Sequence, residues 1–129
     1  MIVEENEPIE FIKRAIESVE KYVQGIFVTV TYTKGKPTNS PLVKYLESKN
    51  IFVSFYKWTK RFDAARNFAA QRIPKDFLFY IWMDADDVWH NPQVLPQLVK
   101  EAYIYNQSAV FLEYYYLVEL DEQNNVREI

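Results

Sequence analysis

The spacing of apolar residues changes along the first part of the chain, and each change predicts where a helix gives way to a strand. Met1–Val3 has the form of a short strand. Apolar residues then recur every three or four positions from Ile9 to Val23, behind Pro8, which predicts an amphipathic helix. Gly25 is expected to end this helix, and the β-branched run at 26–31 predicts a second strand.

The rest of the chain continues to alternate between helical and strand patterns. In chain order, the predicted elements are a helix at 42–48, a strand at 51–56, a helix at 62–73, a strand at 77–83, a helix from Asn91, a long strand at 108–120 and a returning strand at 126–129. Pro96 predicts that the helix after Asn91 begins up to four residues later. The seven consecutive apolar residues at 77–83 predict a central strand covered on both faces, as in a parallel sheet.

Four alternations of strand and helix predict an α/β fold, with an open, mostly parallel sheet and helices on both faces. Ligands of such sheets bind beyond the carboxyl ends of the strands, which points to a site before any residue chemistry is considered. No linker or repeat divides the sequence. Residues 1–129 are therefore expected to form a single domain.

Composition excludes several classes of function. Two glycines in the whole chain leave no room for a glycine-rich phosphate loop, and a net charge of -3 argues against a nucleic-acid partner. The absence of cysteine excludes disulfides and a thiolate nucleophile. No apolar run is long enough for a transmembrane segment, and the acidic start does not have the form of a signal peptide. These features predict a cytoplasmic protein.

Carboxylates are concentrated immediately after the apolar run, in Asp84-Ala85-Asp86-Asp87. Crowded carboxylates repel one another and need a cation or strong hydrogen-bond donors. Residues at i and i+2 of an extended segment share a face, so Asp84 and Asp86 can point the same way, and their hard oxygens suit Mg²⁺ or Mn²⁺. The alternative is a turn or helix cap, the role we expect for Asp87. The position at a strand end favours a site for the other two.

Three segments resemble glycosyltransferase family 2. They are the stretch Trp58–Ala69, the pair Asp76-Phe77 and the stretch Met83–Asp87. The family's pattern is W-x3-F-x2-A-R-N-x-A, an apolar strand and D-A-D-[DE], and the helical pattern at 12–19 is similar as well. The resemblance implies a GT-A (Rossmann-like) fold and transfer of a sugar from a nucleoside diphosphate, with UDP-sugars favoured and inversion expected.

The same resemblance implies roles for individual residues. Asp84 would contact the ribose or uracil side of the donor, and Asp86 would meet the metal, with Asp84 as a second metal ligand. Arg66 and Asn67 match the A-R-N element that lines the donor pocket. Arg66 offers a fixed fork of donors for anionic or carbonyl oxygens, although a solvated pairing with Asp63 is the alternative.

The chain departs from the family pattern in two places. The acid expected after the second strand is missing from the stretch 31–36, so Thr31 or Lys34 would have to contribute to donor recognition. Complete family members are also roughly twice this length, within the usual range of domain sizes. The fold is therefore expected to be truncated before the acceptor half, without the general base that deprotonates the acceptor. Such a chain would bind donor and metal but transfer sugar poorly.

Two other functions are alternatives to this one. A nucleotidyltransferase normally needs a glycine-rich basic loop near its amino terminus, and this sequence has none. The non-enzymatic alternative is a catalytically degenerate GT-A-fold module that binds a protein or a glycan. The altered loop after the second strand and the run Tyr114–Tyr116 support it, and an aromatic edge of that kind could also form a homo-oligomer.

Overall fold

The computed structural model describes residues 1–110, 112, 118–120, 122–123 and 126–128. The chain divides into two compact units, Met1–Val99 and Lys100–Ile129. The expectation of a single domain therefore stays a prediction, and each unit is described by itself. No helix within these described residues is long and apolar enough to cross a membrane.

Besides two 3-10 turns, four α-helices and three β-strands within the described residues precede the carboxyl-terminal hairpin. They are β1 (Ile2–Glu4), α1 (Ile9–Val19), β2 (Phe27–Tyr32), α2 (Pro41–Ser48), β3 (Phe52–Lys57), α3 (Phe62–Gln71) and α4 (Leu95–Ile104). Helix α4 begins four residues after Asn91, as the position of Pro96 predicted. Helix α1 ends earlier than expected, at Val19, and a 3-10 turn at Glu20–Tyr22 follows it. Ser40 caps α2 by accepting a hydrogen bond from the Val43 amide.

The three strands of the first unit form an open parallel sheet in the order β1-β2-β3. The register pairs Ile2 with Thr29 and Thr29 with Ser54. All three strands therefore end at the same edge of the sheet, which begins just past Glu4 in β1. The α/β fold class with a parallel sheet is confirmed.

Alternate side chains of β2 point to opposite faces of the sheet, and both faces are packed. Val28 and Val30 are buried in the main core, together with Ile12 and Ile16 of α1 and Leu46 of α2. Thr29 and Thr31 point to the opposite face. That face is covered by α3, whose Phe68 ring packs against Tyr56 of β3 with the ring centroids 5.0 Å apart. Helices thus lie on both faces, as the alternating pattern predicted.

The face beneath α3 is polar where it meets the sheet. Thr29 is buried, and its hydroxyl shares a 2.8 Å hydrogen bond with the hydroxyl of Ser54 on the neighbouring strand. The buried residues of α3 are Ala65 and Ala69, one turn apart. Small side chains at this spacing let the helix backbone approach the sheet closely, so the hydroxyl pair is shielded from water and satisfied internally.

The prediction of a central strand at 77–83 is wrong. These residues form no hydrogen-bonded strand, and the side chains of Leu78 and Tyr80 are 73% and 63% exposed rather than covered on both faces. The neighbouring edge strand, β1, has three residues and cannot pair a seven-residue strand along its length. Phe77 instead packs edge-on against Phe27. Gly25 permits this contact, because a Cβ atom there would lie 3.3 Å from the Phe77 ring.

The second unit contains an antiparallel hairpin of β4 (Val118–Leu120) and β5 (Val126–Glu128). The predicted returning strand is confirmed by β5. The predicted strand at 108–120 was too long at its start, because Ser108–Val110 lie outside any strand and β5 offers only three residues for pairing. Tyr114–Tyr116, the run invoked for a binding module, lies outside the described residues.

Candidate active site

The carboxyl edge of the sheet carries a short hydrogen-bonded link between β1 and β2. The Glu5 amide donates to the carbonyl oxygen of Thr31 at 3.0 Å. The Glu5 carboxylate accepts a hydrogen bond from the Thr33 amide at 2.8 Å. The link fixes the first residue of the loop that leaves β2, and it places a carboxylate where the two strands end.

Asp84–Asp87 form a tight turn. The Asp87 amide donates to the Asp84 carbonyl at 3.1 Å, and the Asp87 carboxylate accepts from the Asp84 amide at 2.9 Å. The expectation of an extended segment is therefore wrong, although the carboxylates of Asp84 and Asp86 still converge, with one oxygen of each within 4.8 Å of the other. Asp87 has the turn-forming role predicted for it, since its carboxylate accepts the hydrogen bond of the Asp84 amide and so closes the turn.

The turn is anchored to the core by the residue between its first two aspartates. Ala85 is buried in the main hydrophobic cluster, among residues of α1, α2 and the sheet. Further along the chain, the Trp89 amide donates to the hydroxyl of Ser18 on α1 at 3.0 Å. With Ala85 directed inward and the segment held at both points, the side chains of Asp84 and Asp86 remain exposed.

The turn brings together the three carboxylates of Asp84, Asp86 and Asp87. One carboxylate oxygen from each residue lies within 4.8 Å of the others. Asp84 and Asp86 are exposed and Asp87 is half-buried. Water therefore reaches both Asp84 and Asp86. Hard oxygen ligands at this spacing fit the chemistry of Mg²⁺ or Mn²⁺, which retain several waters when bound to proteins.

Two ionisable groups near β1, the Glu7 carboxyl and the Met1 amino group, interact electrostatically with aspartates of the turn. Burial raises the pKa of Glu7, and the nearby charges of Glu4 and Asp86 raise it further. Burial also lowers the pKa of the Met1 amino group to about 6, partly offset by the charge of Asp84. The charge of Asp86 therefore acts on Glu7, which lies three residues after β1, and the two carboxylates repel each other when both are ionised.

Arg66 and Asn67 are exposed neighbours on α3. The guanidinium carbon of Arg66 lies 5.3 Å from the ring centroid of Trp82. Asp63 pairs with Arg61 instead, through two side-chain hydrogen bonds. The alternative interpretation of Arg66 as a solvated partner of Asp63 is thus wrong, and Arg66 contacts the segment that leads into the aspartate turn.

The two candidate residues after β2 occupy different environments. Thr31 is buried, and its hydroxyl donates to the Val3 carbonyl at 3.3 Å, so its proton is engaged within the sheet. Lys34 is exposed in the following loop, where the nearby Lys36 ammonium lies 5.7 Å from the centroid of the Phe55 ring.

A cavity of about 440 Å³ lies beside the segment 77–83 rather than at the aspartates. It is lined by apolar groups that include Met1, Val19 and Phe77, together with Val99 of α4. None of the six candidate site residues contributes to this lining.

A parallel α/β sheet accompanied by a cluster of carboxylates is typical of proteins that bind a ligand through those side chains. The family model for glycosyl transferase family 2 matches residues 5–125. The chain belongs to glycosyltransferase family 2 and is of the glycosyltransferase class. No curated protein and no solved structure matches the chain.

Sequence reasoning missed three residues at this edge. Glu5 holds the loop after β2, Glu7 repels Asp86, and Trp82 contacts Arg66. The two glutamates could have been found from the rule that parallel strands end at one edge, since they directly follow β1. Trp82 had no such signal, because its neighbour on α3 is sixteen positions earlier in the chain and depends on tertiary packing.

Proposed function

We propose that this chain binds a nucleoside-diphosphate sugar together with a divalent cation, as the donor-binding part of a glycosyltransferase. The observation that carries the proposal is the convergence of three carboxylates within 4.8 Å in the turn at 84–87. Membership of glycosyltransferase family 2 supports the sugar-transfer class. The exposure of Asp84 and Asp86 supports it further, because a ligand can reach both without any rearrangement of the core.

Asp86 and Asp84 would hold the cation, Mn²⁺ or Mg²⁺. When bound, such an ion neutralises the charge that develops on a departing diphosphate. Asp87 keeps the turn closed through the hydrogen bond from the Asp84 amide. Ala85, buried in the core, fixes the turn from below, so that the two exposed aspartates are held in place before any ligand arrives.

The remaining candidate residues would contact the donor. Arg66 carries a charged fork suited to diphosphate or carbonyl oxygens, and Asn67 stands beside it on α3. Lys34 lies in a solvated loop, from which a flexible side chain can extend toward an anion. Thr31 would act through its remaining acceptor capacity, because its hydrogen is donated to the Val3 carbonyl. A UDP-sugar is the favoured donor.

Calorimetric titration of the folded chain with UDP, in the presence and absence of Mn²⁺, tests the proposal. We expect binding that requires the cation and is lost in Asp86→Ala, while Asp63→Ala, an exposed aspartate paired with Arg61, retains it. Loss of binding in both variants would point to a general charge effect. A folded wild type that binds no UDP with either cation would refute the proposal in favour of the degenerate binding module.

Sugar transfer with inversion needs a general base for the acceptor, and we assign that role to no residue of this chain. We therefore expect donor binding without efficient turnover. A transfer assay that follows release of UDP from UDP-sugars, at saturating Mn²⁺, measures this directly. Sustained multiple turnover by the chain alone would contradict the expectation, and a search for the base would then begin among the acidic residues after β1.

A further inference from the structure

The contact between Arg66 and Trp82 joins α3 to the segment that leads into the aspartate turn. The guanidinium carbon lies 5.3 Å from the centroid of the indole ring, within the range of a cation–π interaction. Trp82 is half-buried, which keeps the ring in place, whereas Arg66 is exposed. Trp82 also precedes Asp84 by two residues, so their Cα atoms are at most about 7 Å apart.

Stacking on a ring leaves the hydrogen-bonding edge of a guanidinium available. The donors of arginine lie in the plane of the group, and the ring occupies one face of that plane. Among the described residues no carboxylate pairs with Arg66, since the nearby Asp63 is engaged by Arg61. An exposed arginine without a ring beneath it would sample many rotamers, and part of any binding energy would be spent on ordering it.

The negative charge of the carboxylates gives the Arg66 guanidinium a role in the binding of an anion. The edge carries Asp84, Asp86 and Asp87 together with Glu7, and an anionic diphosphate approaching it would be repelled. A divalent cation offsets part of that repulsion, and a fixed guanidinium beside the turn offsets more. Free lysines such as Lys34 would offset less, because an unrestrained side chain in a solvated loop contributes little.

We propose that Trp82 is a positioning residue for donor binding. Its indole ring holds the guanidinium of Arg66 beside the aspartate turn, where the guanidinium donates hydrogen bonds to the diphosphate of the donor. This inference rests on the proposed function and extends it to a residue outside the family's motif. Trp82 contributes through Arg66 and not through its own contact with the ligand.

A double-mutant cycle on UDP affinity at saturating Mn²⁺ tests the inference. Arg66→Ala is expected to weaken UDP binding by about 10-fold or more, the cost of losing charge-assisted hydrogen bonds. Trp82→Leu is expected to weaken it by about two- to fivefold, the worth of an exposed cation–π contact. In the Arg66→Ala background, Trp82→Leu should have no further effect. Trp82→Phe keeps an aromatic face and should restore most of the affinity.

Two controls separate positioning from general damage. Arg72 lies 4.4 Å from the centroid of the Phe68 ring, a contact of the same type at the far end of α3. Arg72→Ala should therefore leave UDP affinity unchanged. Titration with Mn²⁺ alone should give the same affinity in wild type and Trp82→Leu, because the aspartates are intact. Where Trp82→Leu does not fold, Trp82→Met takes its place in the cycle, because the flexible methionine side chain adapts to irregular gaps and carries no ring.

The outcomes are distinguishable from failure of the proposed function. A wild type that binds no UDP refutes the proposed function, and the inference falls with it. A wild type that binds UDP while Trp82→Leu binds equally well overturns the inference alone. Equal losses from Trp82→Leu in the wild-type and Arg66→Ala backgrounds would also overturn it, because Trp82 would then act independently of Arg66.

Discussion

Replacing Asp86 by asparagine should affect stability in opposite directions with and without a cation. One carboxylate oxygen from each of Asp84, Asp86 and Asp87 lies within 4.8 Å of the others. Two unit charges at that distance repel by about 0.9 kcal/mol in water and by about 3.5 kcal/mol at an effective dielectric constant of about 20. Asp84 and Asp86 are exposed, so the lower figure is the appropriate one.

Asp86→Asn removes two of these repulsions. The unfolded chain keeps part of them, because the residues are neighbours in sequence, so we expect the free energy of unfolding to rise by about 1 kcal/mol. For a chain of 129 residues that corresponds to an increase in Tm of about 3–6 °C. With Mn²⁺ at about 100 times its Kd, the wild type should gain about 2.7 kcal/mol, and the variant should gain much less.

Thermal unfolding followed by circular dichroism, in EDTA and in a series of Mn²⁺ concentrations, checks this prediction. The variant should have the higher Tm in EDTA and the lower Tm at high Mn²⁺, so the two curves should cross. Asp76→Asn, which removes an exposed aspartate outside the turn, should follow the wild type in both conditions. A variant that is less stable than the wild type in EDTA would refute the electrostatic argument, and parallel Mn²⁺ responses would refute the cation site.

Three further predictions concern the support of the site. Ala85→Leu should destabilise the chain by about 1–3 kcal/mol through overpacking of the core, and should weaken Mn²⁺ binding because the turn is displaced. Thr29→Val should lower the free energy of unfolding, measured in urea, by about 1–2 kcal/mol, because it leaves the Ser54 hydroxyl unpaired. The double variant Thr29→Val/Ser54→Ala should recover part of this loss. No recovery would contradict the unpaired hydroxyl as the cause. Glu7→Gln should increase the free energy of unfolding at pH 7 by less than about 1 kcal/mol, because folding raises the Glu7 pKa and the ionised carboxylate is therefore unfavourable in the folded state. The gain should disappear below the ordinary glutamate pKa, where the carboxyl is protonated in both states. A gain that persists there would exclude ionisation of Glu7 as its cause.

The parts of the fold that depend on local pattern were predicted closely. Helix α1 has the expected start at Ile9, and α2, α3 and the three strands of the sheet lie within one or two residues of their predicted bounds. These elements are determined by local features of the sequence, namely apolar spacing, proline positions and β-branched runs. The carboxylate cluster was found for a related reason, since strand ends in an α/β pattern define the ligand edge.

The segment 77–83 shows where local pattern is insufficient. Seven apolar residues are compatible with a buried strand, but a strand also needs a hydrogen-bonding partner, and β1 provides only three residues. The extended geometry assumed for Asp84 and Asp86 depended on that strand and was wrong with it. The carboxylates converge nevertheless, because the Asp87 side chain closes a turn through the Asp84 amide. The three carboxylates therefore come together without the strand at 77–83, from which their convergence was predicted.

The contrast between Asp84 and Trp82 explains what kind of residue sequence reasoning can assign. Asp84 has a chemistry that is costly without a partner, so its presence in a cluster already calls for an explanation. Trp82 lies in an apolar run where any large side chain would satisfy the pattern, and its contact with Arg66 becomes visible only when α3 packs against the sheet. Residues that bind through their own charge can be read from the chain. Residues that act by holding another side chain depend on tertiary geometry, and the double-mutant cycle is the measurement suited to them.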